Sequence, residues 1–476
     1  MKKQIAGLIM MMIAVVTTSA TAQDTIEVSN VVKNRSSIFS FAQNKESTVK
    51  LDLPLFDLPY QIDAMNTVGH GFFSSYSNPS MAQSLAVTVD IYSGFHYGMG
   101  KLYDKSNMKP VLKNIIFFGG TVLGDVFLGA LPPIKCMTWT HEEYHRAVMS
   151  RYGVNSFNAA VYTFKSVIGG PVTRITDENL ERFKRESPAD FIRMHAAGFE
   201  AENLSLYNMQ KNNFFYINKE KYFSELDLVP FHWITLIAQH SYIMNKESDW
   251  LEVEPTIAER EVNGGDPISW VYDLFRPDEP YSARGVHSTG VGINRYRKFD
   301  DLTEHEQKYF KKVGYWQFAS YISPMLFGFS NLPFGKSDMR WNFAFRHFLT
   351  SFGTDLSFNF FLKADKYNLV FNYHSYQNYA NYFPAIEVEM IDFPINRNNF
   401  GMYLSPRIAL GIQPKDQVFF TSEKDFFGLI GSRFDFRVAK NWFPYFEIVA
   451  KTKGWVAGNE YLGKNVSCRM GLSARF

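Results

Sequence analysis

The stretch Thr140-His141-Glu142-Glu143-Tyr144-His145-Arg146 lies in a segment whose apolar residues have the period of a helix. Residues four apart share one face of a helix, so His141 and His145 can present two imidazole rings to one metal ion. On a helical wheel of residues 137–152, the two histidines fall on the apolar stripe and Glu142 borders it. The metal-binding face of this predicted helix is therefore also its buried face.

The order His-Glu-x-x-His is typical of zinc hydrolases, in which the glutamate accepts a proton from a water molecule at the metal. Glu142 has that position here. The chain contains 11 histidines among 476 residues, so the pattern rarely arises by chance. The alternative is a helix with two histidines that hydrogen-bond within the core. A third ligand elsewhere in the chain would favour the metal site.

A second predicted helix, residues 187–211, carries the candidates for the third ligand. Glu202 falls between small and apolar residues on the wheel, where an unpaired carboxylate is costly and a zinc ion would stabilise it. Glu200 is the alternative ligand, but it falls beside Arg193 on the charged side, which predicts a solvated carboxylate. His195 shares the stripe of Glu202. It could bind the metal, support a ligand through a hydrogen bond, or lie in the core.

A His-Glu-x-x-His helix followed some tens of residues later by a glutamate on a second helix resembles the gluzincin class of zinc metallopeptidases. The run Gly198-Phe199-Glu200-Ala201-Glu202-Asn203-Leu204-Ser205 is similar to the one that carries their glutamate ligand. The resemblance covers about residues 137–210 and implies peptide-bond hydrolysis with Glu142 as the base. The zinc ligands that it implies are His141, His145 and Glu202. The family often has an aspartate four residues after that glutamate, where this chain has Leu206.

Residues 1–22 predict a cleavable signal peptide. Two lysines precede a short apolar run, and Ala20-Thr21-Ala22 is typical of a cleavage site. An uncleaved anchor is the alternative. Cys136 and Cys468 are the two cysteines, so no disulfide framework is expected. They form either one bridge or two buried free thiols.

The composition excludes little, but it argues against nucleic acid as a partner, because the net charge is +2 and no long basic tract is present. Residues 23–80 are predicted to be an extended lead-in. Three apolar stretches, residues 114–131, 231–244 and 316–329, predict helices that lie either in a core or against a membrane.

From Arg340 onward the apolar residues alternate with a period of two, which indicates strands. We predict eight strands: Trp341–Leu349, Gly353–Leu362, Tyr367–His374, Phe383–Met390, Gly401–Gly411, Phe427–Val438, Trp442–Thr452 and Val466–Phe476. Each has about the length that crosses a bilayer at a tilt, and eight strands can close a small barrel. A last strand ending in Phe476 resembles the C-terminal signal of bacterial outer-membrane barrels. The alternative is a soluble antiparallel barrel or sandwich.

Together these patterns predict an α+β multidomain protein. Residues 81–335 would form a mostly helical, zincin-like metallopeptidase domain, and residues 336–476 an eight-stranded antiparallel barrel of the outer-membrane type. The expected function is hydrolysis of peptides or proteins by an exported zinc enzyme that faces the periplasm and is anchored in the outer membrane. The alternative is a structural or transport component of that membrane with a non-catalytic metal site. A zinc hydrolase acting on esters or other amides would use the same groups.

Overall fold

The computed structural model describes residues 49–64, 76–131, 134–159, 171–216, 228–246, 256–335, 338–364, 367–396 and 401–476. The predicted signal peptide, residues 1–22, lies outside these ranges, as do residues 23–48 and 65–75 of the predicted lead-in. Cys136 and Cys468 are both free thiols, and Cys136 is buried.

The helices fall mostly before residue 317, as the sequence predicts. They are α1 (Tyr60–Asp63), α2 (Met81–Lys105), α3 (Pro110–Ala130), α4 (Cys136–Ser150), α5 (Asp177–Glu186), α6 (Pro188–Phe215), α7 (Leu228–Ile243), α8 (Asp266–Phe275) and α9 (Glu304–Trp316). Residues at the N-terminus determine where several of these helices begin. A capping box between Ser80 and Gln83 begins α2, and Pro188 occupies the first turn of α6.

The strands are β1 (Lys50–Leu58), β2 (Phe157–Asn158), β3 (Val172–Thr173), β4 (Leu332–Pro333), β5 (Arg340–Thr350), β6 (Gly353–Ala364), β7 (Tyr367–Gln377), β8 (Tyr382–Ile391), β9 (Phe393–Asn396), β10 (Met402–Pro414), β11 (Lys424–Phe436), β12 (Trp442–Lys451) and β13 (Asn465–Arg475). All eight predicted strands are therefore present. An antiparallel sheet of 11 strands has the order β1-β13-β12-β11-β10-β8-β7-β6-β5-β4, with β9 beside β10. β1 comes from the predicted lead-in, yet it pairs with the last strand of the chain.

The prediction of a closed eight-stranded barrel is wrong, because this sheet is open and other segments cover both of its edges. On one edge, the backbone N–H of Asp52 in β1 donates to both carboxylate oxygens of Asp90 in α2, at 2.9 and 2.8 Å. The hydroxyl of Tyr76 donates to the carbonyl of Pro54 at 2.6 Å. These contacts satisfy backbone groups that a neighbouring strand would pair in a barrel.

The other edge is covered by the apolar stretch 316–329, which forms two short 3₁₀ turns, Gln317–Tyr321 and Pro324–Phe327, instead of the predicted helix. The N–H of Phe345 in β5 donates to the carbonyl of Ile322 at 3.2 Å. The N–H of His347 donates to the hydroxyl of Ser320, also at 3.2 Å. Periodicity predicts strands, but it cannot tell whether an edge pairs with a strand or with a turn.

Helices α2, α3 and α7 occupy the gap between the two sheet edges. The ring of Phe95 in α2 packs against Gly124 in α3. Tyr92 and Phe231 connect α2 to α7, with ring centroids 4.5 Å apart. The indole N–H of Trp233 in α7 then donates to the carbonyl of Leu326 at 2.9 Å, beside β5. The sheet and helices α2, α3 and α7 thus form one continuous layer, which we call the wall.

Helices α4 and α6 lie inside this wall. One buried core cluster includes Tyr144 and Met194 from these helices and Phe348 and Phe352 from the sheet segment. One face of the sheet therefore packs against helices. The wall places α4, with its His-Glu-x-x-His sequence, in the interior.

Candidate metal centre

The two histidines of α4 are buried, as the wheel predicts, but the prediction of a single buried face is wrong. Every residue from Thr140 to Ser150 is buried, because α4 is enclosed on all sides. The ring centroids of His141 and His145 are 5.0 Å apart, as the spacing of four residues on a helix requires. Both rings face α6 and α8.

Gly198 lets α6 approach the ring of His141. A Cβ atom added at Gly198 would lie 2.1 Å from the Nε2 atom of His141, well inside van der Waals contact. A glycine is therefore required where the imidazole crosses the backbone of α6.

The third group at the histidines is Asp266, the first residue of α8. Its Oδ2 atom lies 3.0 Å from Nε2 of His141 and 3.5 Å from Nε2 of His145. The side-chain amide of Asn263 donates to Oδ1, and the hydroxyl of Tyr242 donates to Oδ2 at 3.1 Å. The possible ligand atoms of the two histidines and Asp266 all lie within 4.8 Å of one another.

The Nδ1 atoms of the two histidines point away from Asp266 and have their own partners. Nδ1 of His141 lies 2.8 Å from Oε1 of Glu202, and Nδ1 of His145 lies 2.5 Å from the carbonyl oxygen of Met194. A proton on Nδ1 leaves the lone pair of Nε2 free for a metal ion. Glu202, the predicted third ligand, thus lies at the opposite ring nitrogen from Asp266.

Burial and charge set the protonation of this cluster. Burial works against protonation of His141, but hydrogen bonds with Asp266 and Glu202 hold its pKa well above the ordinary value. Burial would raise the pKa of Asp266, yet the charges of His145 and His141 hold it below its usual range. Burial raises the pKa of Glu142 to about 7, against the opposing charges of the two histidines.

The donor set fits a zinc ion. Zinc takes imidazole nitrogen and carboxylate oxygen at about 2.0–2.1 Å, so ligand atoms around a tetrahedral ion lie about 3.3 Å apart. The separations of 3.0 and 3.5 Å between Asp266 and the histidines agree with this. Oε2 of Glu202 is buried without a hydrogen-bond partner among the described residues. Other divalent ions accept similar ligands.

The two remaining candidates of the second helix have other partners. Glu200 is fully buried, so the prediction of a solvated carboxylate is wrong. It pairs with Arg193 at 2.8 Å and accepts from the indole of Trp455 at 3.2 Å, which joins α6 to the loop between β12 and β13. His195 lies 2.7 Å from Asp273 and not at the metal centre.

Sequence reasoning missed Asp266 because the residue lies in an acidic, turn-rich segment far from the His-Glu-x-x-His helix. One local signal was available. Asp266 follows two glycines and precedes Pro267 and an apolar run, which is typical of the first turn of a helix. That signal predicts a helix start, but it does not predict that the helix meets α4.

The chain matches no protein-family model, and neither the curated proteins nor the solved structures gave a match. The resemblance to gluzincins therefore stays a prediction that rests on two short motifs.

Proposed function

We propose that this protein is a metal-dependent hydrolase, with zinc held by His141, His145 and Asp266. The observation that carries the proposal is the convergence of two imidazole Nε2 atoms and one carboxylate, with Glu142 adjacent on the same helix. When bound, zinc would polarise a substrate carbonyl and lower the pKa of water at the site. Catalytic zinc sites commonly have three protein ligands, whereas structural sites have four.

Glu142 is the proposed general base. Its carboxyl side chain is buried beside the two histidines, where it can accept a proton and then return it to the leaving amine. Among the described residues, no group hydrogen-bonds to this carboxylate, so it is available for water or substrate. Glu202 and the carbonyl of Met194 orient the two imidazoles.

Peptides or proteins are the proposed substrates, because the gluzincin resemblance points to them. One argument favours the alternative of a non-catalytic metal site: this chain has Leu206 where the gluzincins often have a carboxylate. Glu202 supplies a carboxylate to His141 instead, so this argument loses its basis. Export remains a proposal that rests on residues 1–22, and an outer-membrane location remains a proposal although the closed barrel that suggested it does not form.

The test compares Glu142→Gln with the unaltered protein, purified in detergent and loaded with zinc. We expect the variant to keep about one zinc ion per chain and to lose hydrolysis of a fluorogenic peptide library by about 100-fold or more. Glu186→Gln, at an exposed position of α5, is the matched control and should change nothing.

Unchanged peptide hydrolysis by a zinc-loaded Glu142→Gln protein would refute the assignment of the base. Esters and non-peptide amides tested in parallel identify a hydrolase of another substrate class. Failure of the unaltered protein to bind zinc, after incubation with it, would refute the metal centre.

A further inference from the structure

The α2–α3 hairpin has its apolar residues on the outside. Among the described residues, α3 is the helix long and apolar enough to cross a bilayer. Its exposed residues include Ile115, Ile116, Leu123, Val126 and Phe127, and the side chain of Leu123 is 73% exposed. At 1.5 Å per residue, 21 residues extend about 31 Å, close to the thickness of a hydrocarbon core.

The polar residues in the middle of the same helix face inward. Thr121 and Asp125 belong to its buried stripe, and Oδ1 of Asp125 lies 2.7 Å from Nε2 of His96 in α2. A helix at a water surface has the reverse arrangement, and α9 provides an example in this chain: Lys308 and Lys312 are exposed while Phe310 is buried. The outside of α3 therefore suits an apolar medium.

The tip of the hairpin is basic. Lys101, Lys105 and Lys109 are exposed around the turn between α2 and α3, and Lys113 follows in the first turns of α3. The ammonium group of Lys113 lies 4.0 Å from the ring centroid of Tyr103. Lysine and tyrosine at the end of an apolar helix are typical of the level of lipid headgroups, where lysine also pairs with anionic phosphates.

The apolar outside continues from the hairpin onto the sheet. Outward side chains on neighbouring strands are apolar and exposed: Ile386, Ile408, Leu410, Ile430, Ile448 and Val466. Because α2 covers the edge of β1, the hairpin and the sheet share one outer surface. Such an extended exposed apolar surface needs a covering.

We propose that the α2–α3 hairpin lies in a lipid bilayer as part of the wall, in the place where a closed barrel would have further strands. Acyl chains cover the outer face of α3, and anionic headgroups bind the lysines of the tip. Where the structure describes them, the edge strands β1 and β5 donate to α2 and to the 3₁₀ turns of residues 317–327, which reduces the backbone polar groups that would face hydrocarbon. The proposal does not depend on the hydrolase activity.

The test uses nitroxide spin labels on the full-length protein in vesicles of phosphatidylethanolamine and phosphatidylglycerol. Single cysteines replace Leu123 and Ile430 in a Cys136→Ala, Cys468→Ser background, and Lys308→Cys on α9 is the control. Collision rates with oxygen, which partitions into lipid, and with a water-soluble nickel chelate are compared. Circular dichroism verifies that each labelled variant is folded.

We expect high oxygen and low nickel accessibility at Leu123 and Ile430, and the reverse at Lys308. Nickel accessibility at Leu123 equal to that at Lys308 would overturn the proposal. Low accessibility to both reagents at Leu123 would also overturn it, because another protein would then cover the hairpin.

Discussion

Two buried clusters of histidine and carboxylate join α6 to α8, and they differ in charge. The candidate metal centre contains Glu142, Glu202 and Asp266 beside its two histidines. Among the described residues, no lysine or arginine forms an ion pair with these three carboxylates. The second cluster, which we call the Asp273 cluster, is built around a single carboxylate.

The Asp273 cluster supplies its own cations. Asp273 lies 2.7 Å from Lys184, 2.5 Å from Arg284 and 2.7 Å from His195, and all four side chains are buried. Burial would raise the pKa of Asp273, but Arg284 and the other partners hold it well below the usual range. Both clusters use similar residues. The excess of carboxylates in the first cluster would favour a metal cation there, whereas Asp273 is already neutralised by the cations of the chain.

The largest effect, a loss of stability, is expected from Asp273→Asn. This change leaves Lys184 and Arg284 buried without their anion, which costs about 3–5 kcal/mol of the free energy of unfolding. Urea unfolding in detergent measures the loss, and zinc should not restore it. Asp266→Asn in the metal-free protein is the comparison, and it should cost less, because it removes one of several neighbouring carboxylates. An equal cost for both changes would remove the distinction between the clusters.

The next effect concerns zinc affinity. Asp266→Ala removes a proposed ligand and should weaken zinc binding more than Glu202→Gln, which removes a hydrogen-bond partner of His141. Loss of such an outer partner commonly costs about 10- to 100-fold in affinity. Competition with a chromophoric chelator gives both constants. The reverse ranking would show that Glu202 is the ligand, as the sequence predicts.

Gly198→Ala tests the close approach of α6 to His141. The added methyl group would displace the buried imidazole, so we expect about a 10-fold loss of zinc affinity and a loss of about 1–3 kcal/mol in the free energy of unfolding of the metal-free protein. The matched control is Gly98→Ala in α2, where an added Cβ meets no atom within 4 Å. That control should stabilise the helix slightly, by up to about 1 kcal/mol. Equal zinc affinity in both variants would contradict the packing at His141.

The smallest effect is a dependence on pH. Because the pKa of His141 is raised in the folded, metal-free protein, its contribution to stability is present below the unfolded-state pKa and is lost as pH rises through the folded value. Zinc requires the neutral imidazole, so zinc affinity should rise with pH over the same window. Thermal unfolding with zinc and with a chelator should therefore diverge as pH increases. Parallel curves would show that His141 does not bind the metal.

The sequence by itself determined the features that depend on near neighbours. A spacing of four residues places His141 and His145 on one helical face, and a period of two fixes the eight C-terminal strands. These patterns follow from the geometry of the helix and the strand, because the direction of a side chain depends only on its position relative to its near neighbours in the chain.

The tertiary structure decided which distant groups meet. It placed Asp266 at the histidine Nε2 atoms and Glu202 at Nδ1, and it covered the sheet edges with α2 and with residues 317–327. A carboxylate has the same local pattern whether it binds a metal, supports a histidine or pairs with an arginine, as Glu200 does. Only the packing of α4, α6 and α8 distinguishes these roles, because the partners are far apart along the chain.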